Sequence, residues 1–347
     1  MAVVVVTHDS SRHVDRLGSL LLPQLRSDDE LAVVDNASAD GSAEIARRLG
    51  GPTRVIETGA NLGFAGGCRV GVEATSAPLI LFLNPDSDVE PACLDALREA
   101  ADQHPDWGAW QALVVLEDGT RVNSMGGVTH YLGFGWAGGC GTALDGVPRL
   151  PYETSFPSGA ALMVRRDVWN ALGGFDDEYF MYGEDLDLGL RTWLSGSRVG
   201  VVPAARVRHH YDFEKGPSKW FLLERNRWRT VLSVYPGSLL VLLAPALIAF
   251  ELALLAVALR GGWLGAKVRS QLAALAGLPA TARRRRRVQG TRRLGACAFA
   301  AQLTPSLDSQ YLRAPGPAAG LQALYWRAVV RALEFLHRTP PGRGRGS

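Results

Sequence analysis

The chain has 347 residues, a hydrophobic content of 47% and a formal net charge of +3. This length suggests one large domain with an appendage or two domains, and the hydrophobic content is sufficient for a packed core. The four cysteines are scattered and show no CxxC spacing, which argues against a disulfide framework or a zinc site and fits a reducing compartment. We expect no signal peptide, because the apolar run at residues 1–6 is too short for an h-region and no basic residues precede it.

Charge is unevenly distributed along the chain. From residue 260 to the end there are 16 Lys or Arg against two acids, whereas the first 259 residues carry 21 basic and 32 acidic residues. The two parts therefore have net charges near +14 and −11, respectively. Such a split predicts a tail that meets an anionic surface, either a membrane or a nucleic acid.

The predicted elements of the first half alternate short apolar runs with helical patterns. Strands are expected at residues 2–7, 31–35, 54–57 and 79–83, and helices at about 13–25, 40–49, 66–75 and 91–102. Strands separated by helices of this size imply βαβ units and a mostly parallel central sheet flanked by helices. Residues 107–157 are rich in glycine and aromatics and predict strands and loops. Beyond them we expect strands at 160–164 and 198–202 and helices at 167–172 and 184–194.

Residues 238–259 form a long apolar segment with one charge, Glu251, and one helix breaker, Pro245. About 20 apolar residues suffice to cross a bilayer, but a glutamate there is costly. Basic residues flank both ends: Arg225, Arg227 and Arg229 before it, and Arg260, Lys267 and Arg269 after it. Because the positive-inside rule would keep both ends cytoplasmic, the pattern favours a re-entrant or in-plane hydrophobic element over a simple span.

The remaining tail contains an arginine run at 283–287 and then an amphipathic pattern. Apolar residues recur there at helical spacing: Leu321, Leu324, Ala328, Val329, Ala332, Leu333 and Leu336. This pattern predicts either an interfacial membrane helix or a helix packed on the rest of the protein. Residues 340–347 are rich in Gly, Arg and Pro, and we expect them to be disordered.

Polar segments follow the first two predicted strands, where open α/β sheets bind their ligands. Thr7 and Asp9 follow the first strand and could hold a nucleoside; a simple strand-to-helix turn is the alternative. Asp35 ends the second strand, where a carboxylate can accept a base N–H or ribose hydroxyls, and Asn36 supplies turn chemistry. The alternative for that segment is an Asx turn with a helix cap.

Two further segments follow the third and fourth strands. The stretch beginning Asn61-Leu-Gly63 is glycine-rich, so its backbone could approach a ligand closely, but it matches neither GxGxxG nor a Walker A motif. Asn84, Asp86 and Asp88 follow the fourth strand. Mg²⁺ is commonly shared between one or two carboxylates and substrate phosphates, and such an ion would neutralise a diphosphate leaving group. The alternative is a turn with solvated acids, which the proline after Asn84 favours.

The order and spacing of these four segments resemble the family 2 glycosyltransferases, whose GT-A fold is a nucleotide-binding α/β sheet. The Asn-Pro-Asp segment at 84–86 looks like the variant found in rhamnosyltransferase-like members, with Asn84 in place of a first aspartate. The resemblance implies a divalent cation, Mg²⁺ or Mn²⁺, held by Asp86 and Asp88. It also implies a set of residues for the nucleotide: Thr7, Asp9, Asp35, Asn36, Asn61, Gly63 and Asn84.

The resemblance continues in the second half, where GGFDDEYF at 173–180 precedes GEDLDL at 183–188 and Arg191. Inverting transfer needs a carboxylate to take the proton from the attacking hydroxyl. The family motif implies that Asp185 is this base, that Glu184 orients the acceptor, and that Arg191 lies near the acceptor or diphosphate. The alternatives are that acids at a helix N-terminus only interact with the dipole and that Arg191 only pairs with Asp187 four residues earlier.

Relatives also carry a histidine near the metal, for which we choose His210 over the adjacent His209. Arg225, Arg227 and Trp228 lie in a segment that resembles the one before the membrane region of relatives. Their role by resemblance is to meet the acceptor or a lipid-linked phosphate, because arginine forks match phosphate oxygens. A solvated basic face is the alternative.

The resemblance covers roughly residues 2–235. Together with the apolar segment and the basic, Gly/Arg/Pro-rich tail, it predicts three parts. These are a GT-A domain over 1–235, a helical membrane-associated extension over 236–339 and a disordered tail over 340–347. The implied reaction is inverting transfer of a sugar from a nucleotide, dTDP-rhamnose or a UDP-sugar, to a polyprenyl-diphosphate-linked glycan. It would take place at the cytoplasmic face of the membrane, in cell-envelope polysaccharide synthesis.

Three other functions compete with this one. A nucleotidyltransferase shares a similar sheet but would carry a glycine-rich loop with Arg or Lys after strand one, where this chain has Thr-His-Asp-Ser at 7–10. A non-catalytic membrane scaffold is opposed by the intact Glu184-Asp185 pair. Nucleic-acid binding through 283–287 would call for interleaved aromatics, which that run lacks, so no nucleic-acid partner is expected.

Overall fold

The structure is a computed structural model that describes residues 1–210, 216–308 and 316–337. Its strands are β1 (Ala2–Thr7), β2 (Glu30–Asp35), β3 (Thr53–Glu57), β4 (Leu79–Leu83), β5 (Ser87–Val89), β6 (Trp107–Leu116), β7 (Val122–Ser124), β8 (Gly127–His130), β9 (Gly135–Ala137), β10 (Tyr152–Glu153), β11 (Ala161–Arg165), β12 (Arg198–His209) and β13 (Leu303–Thr304). Its α-helices are α1 (Ser11–Leu21), α2 (Ser42–Arg48), α3 (Gly63–Glu73), α4 (Cys93–Gln103), α5 (Arg166–Leu172), α6 (Glu184–Leu194), α7 (Gly216–Val234), α8 (Gly237–Arg260), α9 (Leu264–Ala276), α10 (Leu278–Gly290), α11 (Ala296–Ala300) and α12 (Gly316–His337). Short 3₁₀ helices occupy Leu22–Gln24, Leu144–Gly146 and Asp177–Tyr179.

The main sheet is mixed, with its strands in the order β10-β12-β6-β11-β4-β1-β2-β3. The β4-β1-β2-β3 half is parallel, as the βαβ pattern predicts. In the other half β11 runs antiparallel to both β4 and β6, whereas β12 runs parallel to β6. The expectation of a mostly parallel sheet is therefore confirmed for the first four long strands and replaced by a mixed arrangement beyond them.

Helices cover both faces of this sheet. Val3 and Val5 of β1 pack with helices α1 and α4 on one face, whereas Val4 and Val6 pack with α3 on the other. This alternation follows from the two-residue period of a strand, and the unbroken valine run of β1 is typical of a strand buried on both sides. The parallel strands consequently end at one edge, with Thr7 of β1 beside Asp35 of β2.

Strand β12 is longer than the sequence pattern predicts. Its pairing with β6 is irregular between Val202 and Arg206, around Pro203, which has no N–H to donate, and then resumes to His209. The resumed part also pairs with β5, placing His209 opposite Ser87. This extension brings the histidine pair to the segment that follows β4.

The helices after residue 216 pack on the α/β domain rather than standing apart from it. One apolar cluster joins Leu186 and Leu190 of α6 to Val231 of α7 and to Leu239 and Leu243 of α8. Helix α12 buries Trp326, Val329 and Leu333 in the same cluster. The apolar core thus continues across the division predicted at 235 and 236, while the tail at 340–347 lies outside the described residues.

Helix α8 is, within the described ranges, the one helix long and apolar enough to cross a membrane by length and composition. One side of it is buried along its length: Leu239, Leu243, Leu247, Leu254 and Ala258. Glu251 lies in line with this side and pairs with Arg227 and Lys267. The charge of Glu251 is therefore neutralised by basic side chains of the protein, while the opposite side of α8 is exposed.

Candidate active site

A cavity of about 1220 Å³ lies at the carboxyl ends of β1, β2 and β4 and reaches the N-terminus of α6. Ten of the sixteen predicted site residues line it: Asp9, Asn36, Asn61, Gly63, Asn84, Asp86, Glu184, Asp185, His210 and Arg227. The other six lie outside its lining: Thr7, Asp35, Asp88, Arg191, Arg225 and Trp228. The strand-end argument therefore brings most of the predicted residues together.

Asp35 lies beneath the cavity instead of facing it. Its Oδ1 accepts a hydrogen bond from the Thr7 hydroxyl at 3.0 Å, and its Oδ2 accepts from the Ser38 N–H at 3.0 Å. Both carboxylate oxygens thus hold the turn after β2, and Thr7 is occupied in the same contact. The strand-two residue that faces the cavity is Asn36, whose Nδ2 donates to the Gly63 carbonyl at 2.7 Å.

Gly63 joins the nucleotide side of the cavity to the catalytic side. Its φ is +71°, and a Cβ there would lie 2.3 Å from the Phe180 carbonyl oxygen. Only glycine combines this left-handed conformation with so close an approach. The glycine-rich segment therefore packs against the loop that leads to Glu184, and Gly63 also lines the cavity, where the resemblance implies a contact with the nucleotide.

Asp86, Asn84 and His209 meet at the end of β4. His209 Nε2 lies 3.2 Å from Asp86 Oδ1 and 3.2 Å from Asn84 Nδ2. Of the two adjacent histidines, His209 therefore faces Asp86, whereas the sequence analysis predicts His210 in this position. The reason is that β12 continues to residue 209, so that its alternation directs this side chain inward.

Asp88 and His210 form a separate charged contact. Arg16 binds Asp88 with both its Nε and Nη2, at 2.7 and 2.6 Å, and His210 Nε2 lies 3.0 Å from Asp88 Oδ2. His210 Nδ1 also lies 3.2 Å from Glu117 Oε1. The hydrogen bond with Asp88 raises the pKa of His210, although burial opposes this. The structure thus places Asp88 in an ion pair outside the cavity lining, contrary to its expected place at a metal.

The metal ligands available in the cavity fit a cation that is bound jointly by the protein and by substrate phosphates, and not a site made of protein side chains alone. Among the residues that the structure describes, no group of three His, Cys, Asp or Glu side chains could hold a metal ion. Asp86 and His209 offer one carboxylate and one imidazole nitrogen. Mg²⁺ commonly binds through one or two carboxylates with phosphates and water completing its shell, so these two residues suffice when a diphosphate is present.

Glu184 and Asp185 open helix α6 after Gly183, whose φ of +86° turns the chain into the helix. Asp185 Oδ2 accepts from the Gly159 N–H at 3.0 Å, and its Oδ1 accepts from the Leu186 N–H at 2.7 Å. Burial raises the pKa of Asp185 even though these backbone bonds favour its charged form. A carboxylate held in place with a raised pKa is suited to take a proton near neutral pH.

Glu184 is more deeply buried than Asp185 and lines the same cavity. Its Oε2 has no hydrogen-bond partner within the described part of the chain. Burial, and then the neighbouring Asp185 charge, raise the pKa of Glu184 well above its ordinary value. Because buried polar atoms in native proteins are nearly always paired, this oxygen is suited to a ligand hydroxyl.

Arg191 is buried away from the cavity. Its Nε donates to Asp187 Oδ2 at 2.7 Å, and its Nη1 and Nη2 donate to the Leu172 and Gly174 carbonyls. The ion pair between Asp187 and Arg191, four residues apart on one helix, is the alternative stated in the sequence analysis, and it is the arrangement observed. Arg191 thus fixes α6 to the glycine pair before it and does not contact the cavity.

The expected basic segment of α7 is also mostly internal. Arg225 Nη2 donates to the Glu178 and Tyr179 carbonyls, outside the cavity, and Trp228 lies outside it as well. Arg227 lines the cavity but is 5% exposed and pairs with Glu224 and Glu251. The alternative of a solvated basic face is therefore wrong for Arg227.

Several cavity residues have no counterpart in the sequence analysis. Gly159 precedes β11, so no strand-end argument points to the N–H that it donates to Asp185. An apolar wall comes from the C-terminal helices: Trp220, Leu223, Leu254, Val257 and Trp263. Asn226 lies beside this wall and donates through Nδ2 to the Tyr179, Met181 and Tyr182 carbonyls, which fixes the loop before α6. From helical spacing alone, such residues would be predicted to lie in the hydrophobic core and not in the wall of a cavity.

The chain matches two family models. The model described as "Glycosyl transferase family 2" matches residues 2–173, and one described as "N-terminal domain of galactosyltransferase" matches residues 144–215. A Mycobacterium tuberculosis protein named N-acetylglucosaminyl-diphospho-decaprenol L-rhamnosyltransferase is 32% identical over an alignment of 254 residues, which covers 62% of this chain and 78% of that protein.

Two solved structures share the fold at 16% sequence identity. GalNAc-T7 with UDP, GalNAc and Mn²⁺ aligns with a TM-score of 0.55 over 68% of this chain and 48% of that chain. S. aureus TarS 1–349 in complex with UDP aligns with a TM-score of 0.51 over 99% of this chain and 94% of that chain. The chain therefore belongs to glycosyl transferase family 2, as a rhamnosyltransferase-like hexosyltransferase with a mixed α/β fold of the GT-A type.

Proposed function

We propose that the protein transfers a sugar with inversion from a nucleotide diphosphate to a lipid-linked glycan, and that the donor is dTDP-rhamnose. The observation that carries this proposal is the position of Asp185, held by two backbone N–H groups at the wall of the cavity that Asp86 also lines. The base and the diphosphate end of the donor site thus share one cavity.

The donor occupies the strand-end side of the cavity. Asp9, Asn36 and Asn61 line the part that takes the nucleoside, and Asp35 supports it from beneath. Asp86 and His209 would hold the divalent cation, Mg²⁺ or Mn²⁺. When bound, that ion neutralises the charge of the departing diphosphate.

Asp185 acts as the general base. It takes the proton of an acceptor hydroxyl as that oxygen attacks the anomeric carbon, and the bond from this carbon to the nucleotide diphosphate breaks on the opposite face. Glu184 orients the acceptor through its unpartnered Oε2. The raised pKa of Asp185 favours this step, because a stronger base accepts the proton more readily.

The acceptor is a polyprenyl-diphosphate-linked glycan of the cell envelope. The M. tuberculosis relative is named for such a lipid-linked acceptor and for L-rhamnose. Exposed apolar side chains on α8 and α9 support attachment to a membrane: Val241, Ile248, Leu252, Leu272 and Leu275. Because one side of α8 is packed on protein and pairs Glu251, we place this helix in the plane of the cytoplasmic membrane surface.

The proposal is tested by transfer to N-acetylglucosaminyl-diphospho-decaprenol from a panel of dTDP- and UDP-sugars, with Mg²⁺, Mn²⁺ or EDTA. We expect dTDP-rhamnose to be used and EDTA to stop transfer. Transfer from a galactosyl, galactofuranosyl or N-acetylhexosaminyl UDP-sugar instead would retain the family reaction but replace the donor. Turnover of none of the donors, by a protein that binds nucleotide, would contradict the proposed function.

A further inference from the structure

The cavity changes in polarity along helix α7. At one end the helix presents Trp220 and Leu223 to the cavity; further along it presents Asn226 and Thr230. The rise of about 1.5 Å per residue separates Trp220 from Thr230 by roughly 15 Å along the helix axis. The polar end adjoins the loop before Glu184, since Asn226 binds the carbonyls of that loop. The apolar end is therefore the end away from the catalytic carboxylates.

The apolar end is completed by α8 and the turn that follows it. Leu254 and Val257 lie three residues apart on α8, and Trp263 stacks on Trp220 with ring centroids 5.5 Å apart and planes inclined at 21°. Leu254 is 5% exposed, whereas Val257 is 48% exposed. This wall thus extends from the cavity to the outer surface of α8.

Val257 also begins an apolar row that leaves the cavity. Exposed residues recur at every fourth position on α8: Val241, Pro245, Ala249, Ala253 and Val257. Because four residues turn an α-helix by about 40° more than one full turn, this row winds obliquely around the helix. It passes from the cavity edge at Val257 to Val241, one of the residues proposed to meet the membrane surface. The row therefore connects the reaction cavity to that surface without a charged side chain along it.

Charges close to this wall are neutralised within the protein. Glu224 and Arg227 line the cavity beside the apolar residues and are ion-paired with each other, with Glu251 and with Lys267. A buried charge without a partner would be strongly unfavourable next to hydrocarbon. The pairing leaves the outer half of the cavity apolar and the inner half polar, which is the polarity of an amphiphile with its head at Glu184 and Asp185.

We propose that the wall formed by Trp220, Leu223, Leu254, Val257 and Trp263 binds the hydrocarbon chain of the acceptor. The first isoprene units would lie against the two tryptophans and Val257, and the rest of the chain would follow the apolar row of α8 into the membrane. This inference rests on the proposed function, because it assigns a subsite for the lipid of that acceptor. It makes chain length, and not only the glycan, a determinant of acceptor affinity.

The experiment compares two acceptors in detergent micelles: N-acetylglucosaminyl-diphospho-decaprenol and a short analogue in which a methyl group replaces the whole prenyl chain, so that nothing reaches the apolar wall. Val257→Asp should raise KM for the decaprenyl acceptor by at least about tenfold, the scale on which an apolar pocket responds to a lost contact. The KM for the short analogue should not change. Leu259→Asp is the matched control, because Leu259 is 66% exposed on the same helix and lies outside the cavity lining.

An equal effect of Val257→Asp on both acceptors, or the same wild-type KM for both, would overturn the subsite while leaving the proposed function standing. Failure of the wild-type protein to glycosylate either acceptor would instead contradict the proposed function. In that case the lipid subsite can still be tested by photocrosslinking with a decaprenyl diphosphate that carries a diazirine and no sugar. Crosslinks at Trp220, Val257 or Trp263 support the subsite, and crosslinks confined to other surfaces exclude it.

Discussion

Arg284 of α10 and Asp187 of α6 form a buried ion pair, with 2.6 Å between Nη2 and Oδ2. Asp187 lies two residues after Asp185, and Arg284 also binds Asp176 Oδ2 through Nε at 2.7 Å. Burial opposes ionisation of Asp187, but Arg191 and Arg284 lower the pKa of this carboxyl. The C-terminal helices therefore supply a cation that fixes the catalytic helix, and they are part of the active-site framework.

We predict that Arg284→Ala destabilises the protein and lowers kcat. Removing one partner of a buried pair costs about 3–5 kcal/mol when the other charge is left without a partner; Asp187 keeps Arg191, so the loss should not exceed this range. Thermal unfolding and transfer rates measure the two effects. Arg286→Ala is the control, since Arg286 is exposed on the same helix. An unchanged melting temperature for Arg284→Ala would show that the pair does not stabilise the fold.

The same ion pair predicts a pH dependence. The folded pKa of Asp187 is depressed, so its contribution to stability is fully present above the unfolded pKa, about 3.9, and is lost as the pH falls through the folded value. Arg284→Ala should therefore lose its destabilising effect progressively in acid. Melting temperatures of both proteins between neutral pH and pH 3 test this convergence, and a constant difference over that range would contradict it.

Asp185→Asn should abolish transfer while preserving nucleotide binding. The asparagine keeps an oxygen for the Gly159 N–H but cannot accept a proton, and loss of a general base typically costs about 10²–10⁴ in rate. Single-turnover transfer measures the loss, and titration with the nucleoside diphosphate measures binding. Normal turnover by the variant would exclude Asp185 as the base, and loss of nucleotide binding would indicate a structural role instead.

Glu184→Gln should stabilise the protein at neutral pH while lowering its activity. The folded pKa of Glu184 is raised, so wild-type stability falls as the pH rises above the unfolded value of about 4.3. Glutamine does not ionise, so it lacks this pH-dependent penalty. The difference in melting temperature between variant and wild type should grow from pH 4 to pH 8. A difference that does not depend on pH would contradict the assignment.

The parallel half of the sheet and most of the donor side were predictable because short-range patterns determine them. Buried strands such as β1 and β4 read as uninterrupted apolar runs, and βαβ connections bring their carboxyl ends to one edge. The sequence does not indicate which carboxylate turns inward at that edge. Asp35 and Asp88 are both paired inside the protein, whereas Asn36 and Asp86 face the cavity.

The sequence contains a signal for the histidine that the structure places beside Asp86, His209. Ala205, Val207 and His209 alternate with Arg206 and Arg208, and this two-residue period continues the strand past Pro203. By contrast, no pattern distinguishes Arg284 from the other arginines of 283–287, because a uniform run has no apolar contrast. Its partner is 97 residues away, so only the tertiary structure identifies the pair.

His209→Ala should weaken metal-dependent activity more than His210→Ala does. His209 Nε2 lies 3.2 Å from Asp86 Oδ1, whereas His210 contacts Asp88 and Glu117. Changes close to a bound metal typically cost about 10–100-fold in metal affinity or activity. The concentrations of Mg²⁺ and Mn²⁺ giving half-maximal transfer measure the effect, and Asp86→Asn should resemble His209→Ala. A larger loss for His210→Ala would return the assignment to that residue.

The exposed side of α8 should bind membranes as a surface element. Ile248 and Leu252 are 63% and 65% exposed, and burying one such side chain is worth about 1.5–3 kcal/mol, so Ile248→Asp with Leu252→Asp should weaken vesicle binding by well over tenfold. Co-sedimentation with vesicles of neutral or anionic lipid measures this. Leu150→Asp is the control, because Leu150 is exposed outside the helical extension.

Neutralising Arg283, Arg286 and Arg287 with glutamine should reduce binding only to the anionic vesicles. Each basic residue near an anionic surface contributes about 1 kcal/mol, an effect that salt screens.

The point variants in α8 and in the arginine run test membrane attachment without disturbing folding. Deletion of residues 238–347 would not do this, since it also removes Arg284 and Lys267, which form buried ion pairs. Undiminished vesicle binding by the α8 double variant would move the membrane contact to another surface. Removal by high salt or alkaline carbonate would place α8 on the bilayer, whereas retention that only detergent reverses would favour a helix inserted across it.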